Sequence, residues 1–266
     1  MMRCRELIGK LEELAPFAYA CEWDNSGFLA GRGEKEIHKV RIALDATDEE
    51  VDRAIAEGTD LLLTHHPLIF KPIKVINDED FISRRILRLI QADICYVAMH
   101  TNFDIAPGCM ADLAAGRLGL QVEGPLEVTG EYNGVPFGVG KIGRLERGMR
   151  VEQLAELVKK RFDLPFVTVY GMDQVTEPVM RVAISPGAGG SMIGHGIACG
   201  AQVLITGDIG HHGGIDAAAC GMAVIDAGHY GLEHIFISFM KEYLEQPAMG
   251  GLEITTEAIR LPLRMV

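Results

Sequence analysis

Disulfide spacing is missing from this 266-residue chain. Cys4, Cys21, Cys95, Cys109, Cys199 and Cys220 form neither CxxC doublets nor a secreted framework, so they read as reduced, buried, small hydrophobes of a cytoplasmic protein. Basic residues are scarce: 25 Lys and Arg face 37 Asp and Glu, a net charge of -12, which repels phosphate backbones and counts against nucleic acid as a partner. No run interleaves aromatic and basic residues as a single-strand binder would. No apolar run reaches the length of a membrane span, and the amphipathic, charge-broken MMRCRELIGKLEELAP start is not a signal segment, so no membrane partner is expected. Low-complexity linkers are absent too. The glycine-rich Pro186-Gly187-Ala188-Gly189-Gly190-Ser191 lacks the Gly-Lys-Ser/Thr ending of a P-loop and misses the dinucleotide fingerprint. Tight-turn packing is its default reading, with an anion cradle as the alternative.

What is present is an alternation of short β-branched runs with helical patterns, the mark of α/β architecture with a largely parallel sheet. Strands are expected over 40–45, 61–64 and 94–99, with helices over 48–58, 81–91 and 109–118. The second half repeats this order. Strands over 180–185, 203–206 and 223–226 enclose helices, and the glycine-dotted stretch 125–150 reads as twisted strands or a hairpin joining the halves. The expected fold is therefore α/β, two related α/β lobes with an internal pseudo-repeat and a metal site in the cleft between them. Lobe boundaries are placed at 1–125 and 126–266, with a C-terminal strand that can pack back on the first lobe.

Open parallel sheets bind ligands outside the carboxyl ends of their strands. At such ends lie Thr64-His65-His66-Pro67, His100-Thr101-Asn102-Phe103-Asp104 and His229-Tyr230-Gly231-Leu232-Glu233. Imidazole and carboxylate donors suit Zn, Mn, Fe or Ni, and no thiolate narrows the choice. Side chains of adjacent residues diverge, so His65 and His66 favour two neighbouring ions over one. His229 and Glu233, four residues apart, share a face if Tyr230 begins a helix. Each has a plainer alternative: the histidines as hydrogen-bonded core residues, Asp104 as a turn or N-cap residue before a helix. His100, His211, His212 and Tyr230 can act as acids, orienting groups or substrate contacts, or as ordinary turn polars; His100 and His211 are the chosen catalytic candidates. Trp23-Asp24-Asn25 either stabilises the lobe entrance or is a core tryptophan beside a turn.

Trp23-Asp24-Asn25-Ser26-Gly27, THHPLIF at 64–70, AMHTNFD at 98–104, ITGDIGHH at 205–212 and DAGHYGLEHIF at 226–236 together resemble the NIF-three-like family, the YbgI/YqfO group of dinuclear-metal proteins. The resemblance spans nearly the whole chain. It implies that His66 and Asp104 bind one ion, His65 and His229 a second, and Glu233 bridges them. It also implies a ring-shaped homohexamer, and some members are described as GTP cyclohydrolase type 2 proteins. Phe28 and Lys141 depart from the family pattern, which favours an aliphatic residue and Arg there, and neither is a ligand. The expected function is a metal-dependent hydrolase with two divalent ions per subunit, acting on a small anionic substrate: a nucleotide, phosphoester or cyclic amide. The alternative is a metal-handling (metallochaperone) or regulatory protein.

Overall fold

The computed structural model describes residues 2–264. Met1, Met265 and Val266, which fall within the expected N-terminal helix segment and second lobe, lie outside the described residues. The chain divides into two α/β bodies, one of residues 2–103 with Phe236–Arg260, the other of Asp104–Ile235 with 261–264.

The first body opens with helix α1 (Cys4–Leu14), whose Cys4, Leu7 and Leu11 recur at helical spacing and are buried. Strands β1 (Gly27–Ala30) and β2 (Lys39–Ala43), helix α2 (Asp48–Ala56), strand β3 (Leu61–Thr64), helix α3 (Phe81–Gln91) and strand β4 (Cys95–Ala98) follow. β2, β3 and β4 pair parallel, β1 closes one edge antiparallel to β4, and a strand over Glu253–Thr256 pairs parallel with β2 on the other side. The C-terminal strand thus belongs to the first sheet. β3 and β4 are buried at every residue, as parallel strands covered on both faces must be. Caps fix where the helices start: the Thr47 hydroxyl accepts from Glu50 N at 3.2 Å and the Asp80 carboxylate from Ser83 N at 2.9 Å. Arg41 is buried beneath α2, where Glu50 at 2.7 Å and Glu57 at 3.0 Å balance its charge.

The second body begins within the short helix α4 (Thr101–Ile105) and continues through helix α5 (Met110–Leu118), strands β5 (Gln121–Tyr132) and β6 (Val135–Met149), and helix α6 (Val151–Phe162). Then come β7 (Thr168–Tyr170), β8 (Val179–Ala188), α7 (Met192–Ala198), β9 (Val203–Gly207), α8 (His211–Ala219), β10 (Ala223–Asp226) and α9 (His229–Glu233). Its sheet runs β5-β6-β8-β9-β10-β7. β8, β9 and β10 are parallel, and β7 is antiparallel to β10. Both bodies therefore share one order: helix, antiparallel edge strand, then three parallel strands with helices between them. That is the pseudo-repeat.

Two boundaries differ from the sequence reading. The 125–150 stretch does not join the lobes; it is a β5-β6 hairpin turning at Asn133-Gly134, both at positive φ, and β6 pairs antiparallel with β8 as part of the second sheet. The break falls at Phe103/Asp104 rather than 125/126 because α5 packs on β6 and β8. Among the described residues no disulfide forms, but only Cys4, Cys95 and Cys109 are buried; Cys220 is exposed. No helix among the described residues is long and apolar enough to cross a membrane.

Candidate metal centre

In the first body three strand ends carry the site. β3 ends at Thr64, whose hydroxyl donates to His66 O at 2.8 Å, while the buried Tyr96 hydroxyl lies 3.0 Å from the same carbonyl and accepts from Leu68 N at 2.8 Å. These bonds set the turn that presents His65 and His66. Burial pushes the Tyr96 phenol well above its ordinary range, so it stays a neutral brace. His65 Nδ1 lies 2.7 Å from Met99 O. A carbonyl only accepts, so Nδ1 carries the proton and Nε2 is the ligand atom. His66 Nδ1 lies 2.9 Å from Asp45, just past the end of β2, with the same consequence.

His100, just past β4, repeats the pattern with Nδ1 2.7 Å from Asp24. Burial by itself raises the Asp24 carboxyl; hydrogen bonds from His100, Thr101 and Ser26, with the imidazole charge, outweigh it and hold the group well below the usual carboxylate range. The His100 ring lies 5.4 Å from the His65 ring and 5.6 Å from the His66 ring, centroid to centroid.

In the second body β10 delivers His229 and Glu233 on successive turns of α9, and His229 Nε2 lies 2.9 Å from Glu233 Oε2. The four-residue spacing does place both donors on one face. His229 Nδ1 lies 2.8 Å from Asp208, which follows β9 in the left-handed region, φ +56°. Asp226 ties the loops together: its carboxylate accepts from Ile209 N and Gly228 N, both at 2.9 Å. Gly207 is required there, since a Cβ would collide with His229 N.

Glu233 is 2 % exposed, and a carboxylate so enclosed needs positive charge beside it. The glycine-rich turn makes its room: Gly187 is buried at φ +81°, and a Cβ there would lie 2.6 Å from Glu233 Oε1. The packing reading of that turn fits, and Pro186 to Ala188 continue β8. Asp104 is half-buried inside α4; the residue capping α5 is Cys109, so the N-cap alternative for Asp104 does not hold. His211 opens α8, exposed and packed on the His212 ring, with no hydrogen bond to His229 or Asp208 among the described residues.

His65 and His66 in the first body, and Glu233 in the second, each offer one ligand atom suited to a metal ion. The donor chemistry agrees, because histidine ligands characteristically give their other ring nitrogen to a carboxylate or backbone carbonyl. Sequence reasoning placed Asp24 only in an entrance turn and gave no role to Asp45 and Asp208, which orient histidines, or to Asp226 and Tyr96, which fix the turns beside them. The first four sit at or near strand ends or beside a turn, a signal shared with every capping aspartate.

The model of the family Duf34/NIF3 (NGG1p interacting factor 3) matches residues 2–262. A Streptococcus pneumoniae serotype 4 protein named GTP cyclohydrolase 1 type 2 homolog is 34% identical over 247 residues, covering 92% of this chain and 91% of its own. A Bacillus cereus protein described as related to NIF3 superposes with TM-score 0.88 at 26% identity, over 99% of each chain. Reduced HcgD from Methanocaldococcus jannaschii does so with TM-score 0.81 at 32% identity, over 96% of this chain and 97% of that one. The chain belongs to the Duf34/NIF3 family.

Proposed function

We propose that the chain is a dinuclear divalent-metal hydrolase of the GTP cyclohydrolase type 2 kind, acting on a nucleotide, phosphoester or cyclic amide. Zn, Mn, Fe or Ni would be held by His65, His66, Asp104, His229 and Glu233. The observation that carries this reading is that His65, His66 and His229 each commit Nδ1 to an acceptor, at 2.7, 2.9 and 2.8 Å, and so present Nε2 as the ligand atom. The names of relatives such as the Streptococcus pneumoniae protein support the activity class.

Bound divalent ions supply Lewis acidity and lower the pKa of coordinated water toward neutrality. The chain's own groups do the rest. Asp24, held anionic, fixes the His100 tautomer and leaves Nε2 to exchange a proton with the substrate. His211 is the second acid–base candidate, its exposure suiting exchange with solvent. Tyr96 and Thr64 keep the His65-His66 turn in place.

Turnover of nucleotides, phosphoesters and cyclic amides by metal-loaded protein tests the reading. Activity should vanish in Glu233→Ala and fall in His100→Ala and His211→Ala with the metal retained. Activity surviving Glu233→Ala comes from a contaminant. If nothing turns over while metal passes readily to an apo-acceptor, metal handling replaces hydrolysis.

We further propose a cytoplasmic ring-shaped homohexamer, supported by the family resemblance and by six cysteines without a disulfide. Light scattering at low micromolar concentration should give a hexamer mass, and a monomer there contradicts it.

A further inference from the structure

Trp23 is the chain's one tryptophan, and it is 61% exposed. So large an apolar ring is seldom left facing water without a use. Phe70, 45% exposed, lies beside it, with ring centroids 6.0 Å apart and planes at 54°. Both rings meet His100 nearly edge-on, Trp23 at 6.0 Å and 75°, Phe70 at 6.4 Å and 74°. Two exposed aromatic surfaces thus flank the imidazole assigned to proton transfer.

Their placement is built in. The turn carrying Trp23 closes with Asp24 N donating to Cys21 O at 2.9 Å, and Asn25 Nδ2 donates to Ile69 O at 2.5 Å, tying that turn to the segment bearing Phe70. Asp24, between Trp23 and Asn25, is the residue that holds His100. One short stretch therefore orients the imidazole and sets the aromatic ring beside it.

Phe70 also lines a cavity of about 550 Å³ with Lys71, Pro72, Ile73, Val75 and Asp80, whose carboxylate is engaged in capping α3 by accepting from Ser83 N at 2.9 Å. Lys71 and the nearby Lys74 are exposed and make no ion pair with a carboxylate among the described residues. In a chain of net charge -12, cations left without acidic partners next to an aromatic surface favour an anionic ligand with a planar ring.

We infer that Trp23 and Phe70 form a stacking platform for a planar nitrogen heterocycle of purine type, presented to His100, with Lys71 and Lys74 attracting the phosphate of the same nucleotide. This rests on the hydrolase reading for its purpose, since it names the substrate class of that site. Binding is nevertheless readable without turnover. Base-on-aromatic stacking tolerates many rings, so the platform selects planarity before it selects a particular base.

The single tryptophan is its own reporter. Emission from the full-length, metal-loaded protein should be quenched saturably by guanosine 5′-monophosphate, and neither ribose 5-phosphate nor inorganic phosphate should reproduce the effect. Calorimetry, which does not depend on the fluorophore, should show Trp23→Ala and Phe70→Ala each binding the nucleotide about 5- to 100-fold more weakly. Trp23→Phe should recover most of the loss. Lys71→Ala should weaken the nucleotide but leave guanosine unchanged. Because both rings are largely exposed, their replacement should leave the circular dichroism spectrum and metal content unaltered.

The inference is overturned if ribose 5-phosphate binds as well as the nucleotide, or if Trp23→Ala binds like the parent. It is equally overturned if Trp23→Ala and Phe70→Ala leave nucleotide binding intact and lower the oligomer mass, making the rings a subunit contact. Quenching with no turnover keeps the platform and rejects the hydrolase. Turnover of a nucleotide unaffected by Trp23→Ala keeps the hydrolase and rejects the platform.

Discussion

Gly187 leaves the space that Glu233 occupies: a Cβ on the glycine would stand 2.6 Å from Glu233 Oε1. Gly187, near the end of β8, is thus the position that leaves room for a carboxylate buried against the strand. Gly187→Ala should disturb the site twice over, by strain at φ +81° and by displacing the carboxylate. The expected outcome is metal affinity reduced about 10- to 100-fold, comparable to losing an outer-shell partner, with the fold retained. Metal titration of the variant checks it, and unchanged affinity would show that the space at Gly187 does not set the position of the Glu233 carboxylate.

Asp45 and Asp208 hold no assigned ligand role, yet each fixes the tautomer of one histidine, His66 at 2.9 Å and His229 at 2.8 Å. Asp45→Asn and Asp208→Asn should each weaken metal binding about 10- to 100-fold while leaving the thermal midpoint of metal-free protein close to the parent. Competition with a chromogenic chelator measures this. Equal affinity in both variants would show that the histidine tautomers do not depend on these carboxylates.

A pH effect on stability is expected well away from the metal centre. Burial raises the Asp60 carboxyl, but the backbone N–H groups of His38 at 2.9 Å and Lys39 at 3.0 Å, with Lys35 nearby, outweigh it and lower the group below the usual carboxylate range. A depressed folded-state pKa means the unfolded chain takes up the proton first as pH falls. The stabilisation is then complete above the unfolded pKa and disappears as pH drops through the folded one. Asp60→Asn should cost about 2 kcal/mol in urea unfolding at pH 7 and progressively less as pH falls from the unfolded pKa through the folded one. A cost that stays constant across that range would contradict the assignment.

The sequence showed the parallel cores clearly because buried strands such as Leu61-Leu62-Leu63-Thr64 carry an unbroken apolar run, and α3 follows its periodicity at both ends. The lobe boundary was not legible. Nothing local in 104–125 says that α5 packs on β6 and β8, since an apolar helical face does not name its partner. Candidate ligands stood out because histidines beside strand ends are uncommon, and the carboxylates that orient them did not, since Asp45 and Asp208 look like any turn aspartate. His211 shows the converse. It had the same local signal as His65, but its ring packs only on His212 among the described residues.

Metal content is the most direct test of the account. Protein prepared without chelator or affinity-tag metal and analysed by plasma mass spectrometry should carry close to two divalent ions per subunit. Glu233→Ala should lose both, whereas His65→Ala and His66→Ala should each empty mainly one position. Full occupancy by a single ion, or a Glu233→Ala protein that keeps as much metal as the parent, would contradict a dinuclear centre bridged by Glu233.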